Sequence, residues 1–445
     1  MITLGSPHRT AAVAAALVSV LLTGAAGTAG AQPDPPVPIT TSATPTSTPF
    51  RTPDTDSCPN RTQPPRAIDA SEIPTPGQPK PQPLPVPDQP VGGTMLGRCG
   101  TIVPAGAPAL PKDISATSWV VADLDTGNVL AAKDPHGRYR PASTIKTLLA
   151  IVALRELDLS RVVTGTAEDA AVDGTRVGIG PGGQYSNDQL MHALLMASGN
   201  DAANVIAREL GGVDATLRKM NAQARTLGAL DTRAATPAGL DGPGMSSSAY
   251  DLALIFRTAM QLPRFEQIIH TEQIDFPGFP KDPRIPEDID HPGFAIGNDN
   301  QLLYNYDGAI GGKTGYTDDA RHTFLAGAER GGRRLVVALM QADVLPIRPW
   351  EQGARLLDYG FALPRDASVG TLAATAEPAA PESRAAQPQP IAEPGTIAPT
   401  AIAAPAGTAS PTLPHWPLRI GLILGGLLAI VLLLLTASML HDRRR

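Results

Sequence analysis

The sequence predicts an α/β fold of the α+β kind: one antiparallel sheet flanked by helices, with an all-helical lobe beside it. Three observations predict it. Two β-prone runs, Ser118–Asp123 and Asn128–Lys133, open the packed region, with a turn at Asp125-Thr126-Gly127 between them. The block from 187 to 262 carries mostly helical spacing. Strand-like runs then return at Thr323–Gly327 and Arg334–Met340, after Leu302–Ile310 has led into a Gly-Gly-Lys-Thr-Gly stretch. Strands at both ends with helices between close most simply as a single sheet built from both ends. Chemistry is expected between that sheet and the lobe.

The flanks of this region are of another kind. The chain has 445 residues, 46 prolines, two cysteines and a formal net charge of −6. No basic block marks a nucleic-acid partner. The eight histidines fall in no metal-ligand spacing, so neither a metal nor a cofactor is expected. His8 and Arg9 precede the apolar run Ala11–Leu22, and Ala29-Gly30-Ala31 offers a small-x-small cleavage site, so residues 1–31 read as an export signal. Residues 32–100 are rich in Pro, Thr, Ser and Asp without any period, which predicts polyproline-like or disordered chain. Cys58 and Cys99 bracket the second half of that segment. In an oxidising compartment they are expected to pair and pin it to the domain, a loop closure worth roughly 4 kcal/mol in the chain-entropy account; two free thiols are the alternative.

The packed domain is assigned to residues 101–364 and an Ala/Pro-rich tether to 365–416. Within 417–440, Ile420–Leu440 is 21 residues without a charge, long enough to span a bilayer as a C-terminal transmembrane helix. The tail 441–445 carries three arginines and is expected on the cytoplasmic side, which leaves the domain exported and membrane-tethered.

Inside the domain, Arg140-Pro141-Ala142-Ser143-Thr144-Ile145-Lys146 reads as the entry to a helix. Residues three apart share a helix face, so Ser143 and Lys146 would set a nucleophile beside its base. On its own such a pair is most often a helix-start serine with an incidental lysine. The surroundings argue otherwise. Ile145, Leu148, Leu149, Val152 and Ala153 keep helical spacing, and Thr147, Ala150, Ile151 and Leu154 are uncharged as well. A helix apolar on most sides belongs in a core, where an amine is costly unless paired or neutral.

Further on, Ser186–Asp188 can cap a helix over Gln189–Ala197, and Asp201–Leu210 forms another. Ser198-Gly199-Asn200 therefore sits on a tight bend between two helices. Asp214–Leu227 and Ser246–Leu262 are helical in pattern, Pro263–Asn300 reads as loop, and Trp350–Leu357 as a closing helix.

Ser143-x-x-Lys146, Ser198-x-Asn200 and Lys313-Thr314-Gly315 occur in this order, and two of the seven lysines fall in them. Each motif is weak alone. The ordered triple resembles that of the penicillin-recognising serine enzymes. Among these it is most similar to the low-molecular-mass penicillin-binding proteins, the D-alanyl-D-alanine carboxypeptidases of peptidase family S11. The resemblance covers about residues 110–362 and implies a penicillin-binding protein/serine β-lactamase-like fold. It also implies roles. Ser143 would attack the carbonyl between two D-alanines of a peptidoglycan stem peptide, Lys146 would take its proton, and Ser198 would relay a proton to the leaving D-alanine. Asn200 would hold the substrate amide or order Lys146, while Lys313 and Thr314 would hold the terminal carboxylate. Gly315 would let the strand approach the substrate, and the backbone N–H groups of Ser143 and Tyr316 would form an oxyanion hole. β-Lactams would acylate Ser143 and remain.

Two departures from the family stand out. The tether leaves no room for a β-rich C-terminal domain, and a spanning helix replaces the usual amphipathic anchor. The late arginine that some members use for the carboxylate has one counterpart between Gln341 and Trp350, namely Arg348, with no role assigned. The alternatives are a D,D-transpeptidase or endopeptidase using the same site, a serine β-lactamase, and a non-catalytic cell-wall-binding or sensor module. The absence of any glutamate between Glu209 and Glu266 argues against the β-lactamase.

Overall fold

The computed structural model describes residues 50–372; the expected export signal, tether, Ile420–Leu440 span and cytoplasmic tail lie outside the described residues. Among the described residues no helix is long and apolar enough to cross a membrane. The chain enters through β1 (Thr101–Ile102), β2 (Ser118–Asp123) and β3 (Asn128–Lys133), then a 3-10 turn at Ala142–Ile145 runs into α1 (Lys146–Glu156). A small hairpin follows, β4 (Val162–Thr164) with β5 (Gln184–Ser186), enclosing α2 (Ala167–Ala170). The helical lobe comprises α3 (Asn187–Met196), α4 (Asn200–Glu209), α5 (Val213–Leu227) and α6 (Ala249–Ala259). Next come α7 (Pro263–His270), a hairpin of β6 (Gln273–Phe276) and β7 (Phe294–Gly297), and α8 (Gln301–Asn305). The chain closes with β8 (Ala309–Thr317), β9 (Arg321–Arg330), β10 (Arg333–Ala342), α9 (Pro349–Ala362) and β11 (Gly370–Thr371).

The main sheet is antiparallel, in the order β1-β3-β2-β10-β9-β8, with β11 also paired to β3. Early and late strands meet at its centre, where Val121 lies opposite Val337. Both faces are covered, and β10 shows how the sequence achieves it. Val336, Ala338 and Met340 point into the cluster that holds Leu148, Leu149 and Phe256 of α1 and α6. Leu335, Val337 and Leu339 point the other way, onto Leu356 and Leu357 of α9. A strand buried on both sides reads as a continuous apolar run, because the period of two is filled with apolar residues on each face.

Residues 263–300, expected as loop, carry more structure than their proline content suggests. Pro263 occupies the first turn of α7, where a missing N–H costs nothing, and Phe265, Ile268 and Ile269 share its buried face. In the β6–β7 hairpin Ile274 lies opposite Ile296, and Phe276 stacks on Tyr185 at 5.3 Å between ring centroids.

Of the Pro-rich segment, residues 50–100 are described; they have little regular structure but, against the expectation of disordered chain, they lie along the domain as a strap, with Thr55, Val91 and Leu96 buried. Cys58 and Cys99 are joined by a disulfide, their Cα atoms 5.1 Å apart. A proline-rich strand has few N–H groups to offer a sheet, so its contacts run through its carbonyls. The fully buried Arg138 supplies the donors: its guanidinium reaches the carbonyls of Thr62, Leu84 and Pro85, and its Nε donates to Asp231. Arg140 Nε donates to Glu72 at 2.6 Å, and Asp319 accepts the Ile68 N–H at 2.7 Å.

Candidate active site

Ser143 lies on the 3-10 turn and Lys146 opens α1, so the two stand on one face as their spacing requires. Lys146 Nζ is 2.8 Å from Ser143 Oγ, 2.7 Å from Asn200 Oδ1 and 2.7 Å from the carbonyl oxygen of Ala238. Asn200 comes from the first turn of α4. Its amide nitrogen donates to the carbonyl of Asp173, which fixes the amide so that Oδ1 faces the lysine. Ser198, two residues earlier, is held at φ 61°, an uncommon conformation for a serine and one that sharpens the bend between α3 and α4.

The cleft, with a volume of about 510 Å³, is lined by Ser143, Ser198, Asn200, Thr314, Gly315 and Tyr316 among others. Lys146 and Lys313 lie beneath it, 0 % and 1 % exposed. Burial first, and the Lys313 charge second, push the Lys146 amine well below the ordinary lysine range, against the opposing pull of Asp201 and Asp299. Burial lowers the Lys313 amine to about 8, with Asp299 opposing. Lys313 Nζ donates to the Thr314 carbonyl at 2.8 Å. Every residue singled out in the three motifs is thus at one place, between β8 of the sheet and the helical lobe.

Two glycines let the backbones converge there. A Cβ on Gly315 would lie 2.9 Å from the Ser143 nitrogen and collide with Thr323 Oγ1. What glycine admits at this position is therefore the backbone of the Ser143 turn, pressed against β8, rather than only a substrate. Gly239, at φ +88°, would collide through a Cβ with the Ala142 carbonyl, and its neighbour Ala238 supplies the carbonyl on Lys146.

Several contributors are not in the motifs. Asp201 is fully buried and accepts the backbone N–H groups of Val177, Gly178, Ile179 and Ala202, tying the 177–179 loop to the start of α4. Its position directly after Ser-Gly-Asn was the available signal; the loop it binds was not. Asp299 lies on the rim and is held against Met196 through its backbone N–H. Arg348 lines a neighbouring cavity together with Thr314. Glu266 of α7 is committed to Arg334 at 2.9 Å, at the sheet rather than in the cleft.

Comparison with known proteins agrees with this geometry. The sequence profile of the peptidase S11 family, described as D-alanyl-D-alanine carboxypeptidase, matches residues 105–344. Over 275 residues the chain is 50% identical to the D-alanyl-D-alanine carboxypeptidase DacB2 of Mycobacterium tuberculosis, a match covering 61% of this chain and 90% of that one. It is 32% identical to DacF of Bacillus subtilis, over 55% of this chain and 62% of the relative. The crystal structure of a D-alanyl-D-alanine carboxypeptidase from M. tuberculosis H37Rv superposes with a TM-score of 0.56 at 49% identity, over 61% of this chain and 99% of that one. The Streptomyces K15 DD-transpeptidase does so with a TM-score of 0.52 at 27% identity, over 57% and 100%. The antiparallel sheet with its helices is the penicillin-binding-protein and β-lactamase-like fold, and the strap precedes the part of the chain that the family profile matches. The chain belongs to peptidase family S11, the serine-type D-alanyl-D-alanine carboxypeptidases.

Proposed function

We propose that this protein removes the C-terminal D-alanine from peptidoglycan stem pentapeptides, with Ser143 as nucleophile, Lys146 as general base and water as final acceptor. The observation that carries the proposal is the set of three contacts around Lys146 Nζ. Asn200 Oδ1 and the Ala238 carbonyl are acceptors only, so they take two N–H bonds. A neutral amine then has one lone pair left, directed at Ser143 Oγ, and the hydroxyl donates to it. The lowered basicity of Lys146 supports the neutral form.

Ser143 Oγ attacks the carbonyl of the penultimate D-alanine as its proton passes to Lys146. The N–H groups of Ser143 and Tyr316 hold the oxyanion. The C–N bond breaks, the leaving amine receives a proton by way of Ser198, and an ester remains on Ser143. Water adds to that ester with the same base and frees the serine. Lys313 and Thr314 hold the substrate carboxylate, and Arg348 lines the neighbouring cavity that Thr314 also borders.

Transpeptidation is the second reading, since a relative from Streptomyces strain K15 is named a carboxypeptidase and its crystal structure a DD-transpeptidase. The higher identity to DacB2 favours water. We also infer that β-lactams acylate Ser143, and that the domain works outside the cell, held to the membrane by Ile420–Leu440. The charge-free run and its arginine tail support that address, and the Cys58–Cys99 disulfide suits it. Incubation with a stem pentapeptide tests the central claim. Free D-alanine and tetrapeptide are expected; a cross-linked dimer as the main product would favour transpeptidation. Equal labelling of wild type and Ser143→Ala by a fluorescent penicillin would remove Ser143 as nucleophile.

A further inference from the structure

A second cavity, of about 550 Å³, adjoins the cleft. The two meet at Asp299, Thr314, Gly315 and His322, which line both. Beyond this junction the character of the wall changes. Phe324, Val344, Leu345 and Trp350 provide apolar surface, with Arg348 beside them. Val344 is 48% exposed and Leu345 72% exposed, on the segment that joins β10 to α9. Large apolar side chains gathered around an open cavity are unusual on a soluble surface and mark sites of binding.

The position of the cavity says what it would bind. In the function proposed above, the C-terminal carboxylate of the substrate is held at Lys313 and Thr314. The Cα of the C-terminal residue then lies at the junction, its amine towards Ser143 and its carboxylate at Thr314. The remaining large substituent on that Cα is the side chain, and the second cavity opens beside it. A methyl group leaves nearly all of this space unfilled.

We propose that the cavity receives the side chain of the C-terminal residue, so that the enzyme releases apolar D-amino acids larger than alanine, such as D-leucine, as well as D-alanine. The step is the same hydrolysis. The amide between the penultimate D-alanine and the C-terminal residue breaks, Ser143 carries the acyl group, the departing amine takes the proton, and water restores the serine. Leu345 and Trp350 act here as specificity-determining residues. The inference rests on Ser143 as nucleophile and on the carboxylate lying at Lys313 and Thr314.

The test measures kcat/KM for diacetyl-L-Lys-D-Ala-D-Xaa with D-Ala or D-Leu at the last position. D-Leu is expected within about threefold of D-Ala, because the apolar part of the wall receives its side chain. Trp350→Ala and, separately, Leu345→Ser should lower the D-Leu to D-Ala ratio about tenfold. Leu345 is exposed, so its replacement leaves folding intact, and penicillin labelling checks this. A D-Leu peptide cleaved more than thirtyfold more slowly than D-Ala by the wild type, or variants that leave the ratio unchanged, would overturn the proposal. Failure to release D-alanine or to bind penicillin would instead strike the function on which it rests.

Discussion

Asn200 Oδ1 accepts a hydrogen bond from Lys146 Nζ at 2.7 Å, and the far side of the same amide is anchored on the Asp173 carbonyl. The asparagine therefore orients the lysine without adding charge. Replacing it by aspartate keeps the shape and places a carboxylate against the amine. That raises the basicity of Lys146 and holds it protonated, unable to take the proton of Ser143. Asn200→Asp should slow penicillin acylation by about 100-fold at pH 7, the scale of lost general-base catalysis. The acid limb of the acylation profile should move to higher pH. A profile of unchanged position with a merely lower plateau would show that Asn200 orients substrate instead.

Lys313 gives the opposite limb. Burial lowers its amine to about 8, so it is charged at neutral pH and loses its proton on mild alkalinisation. Since the charged form is the one that holds a carboxylate, kcat/KM for stem peptides should rise with pH as Lys146 becomes neutral and fall above about pH 8. Lys313→Met should be far less active at pH 7 and show no fall there. A wild-type plateau extending past pH 9.5 would separate Lys313 from carboxylate binding.

How much of this was legible in the sequence follows from the range of each contact. Ser143 and Lys146 are one helical turn apart, and Lys313 to Gly315 are consecutive, so their relation is local and readable. The apolar surroundings of Lys146 were readable too, because α1 keeps its pattern over its first eight residues. The Ala238 carbonyl on Lys146 and the loop nitrogens on Asp201 join segments far apart through backbone atoms, which leave no trace in residue type. The fold was legible where strands alternate or run apolar. It was missed at α7, where prolines around a short helix masked the spacing of Phe265, Ile268 and Ile269. The strap's lack of period is legible in the sequence, but its docking is not, because that depends on the buried Arg138, which composition does not single out.

Asp201 supplies a prediction about stability. Its carboxylate accepts four backbone N–H bonds at 2.9 to 3.1 Å in a fully buried position. Asp201→Ala would strand those donors without water. Each unsatisfied group costs about 1–3 kcal/mol, so a loss of about 3 kcal/mol or more is expected after partial relaxation. Because the same bonds tie the 177–179 loop to the start of α4, beside Asn200, penicillin labelling should slow even at temperatures where the variant is folded. Thermal unfolding and labelling at 15 °C measure the two effects separately. A variant with normal labelling would show that the start of α4 is held by other contacts.

The contact between the domain and the strap includes a titrating group. His136 Nδ1 lies 2.8 Å from Asp231 Oδ2, and Nε2 lies 3.0 Å from the Val91 carbonyl. Both partners are acceptors, so both ring nitrogens must donate and the ring must be an imidazolium. Burial works against that charge, but the hydrogen bond and charge of Asp231, with Asp251 nearby, outweigh it and raise the histidine above its usual value. Arg138 also donates to Asp231, and its carboxyl stays below the ordinary range although burial opposes this. The sign of the linkage follows. The folded state binds the proton more tightly than the unfolded chain, so the stabilisation is complete below the unfolded value of about 6.5 and is lost as pH rises through the folded one. His136→Gln should lower Tm at pH 6 by several degrees and by progressively less towards pH 9, where wild type and variant converge. Amide exchange around Val91 in the wild type should accelerate over the same interval, beyond its intrinsic pH dependence, as the strap loses its donor. A Tm difference that stays constant from pH 6 to pH 9 would mean that the ring is neutral and that the segment around Val91 is held by its other contacts, core packing among them.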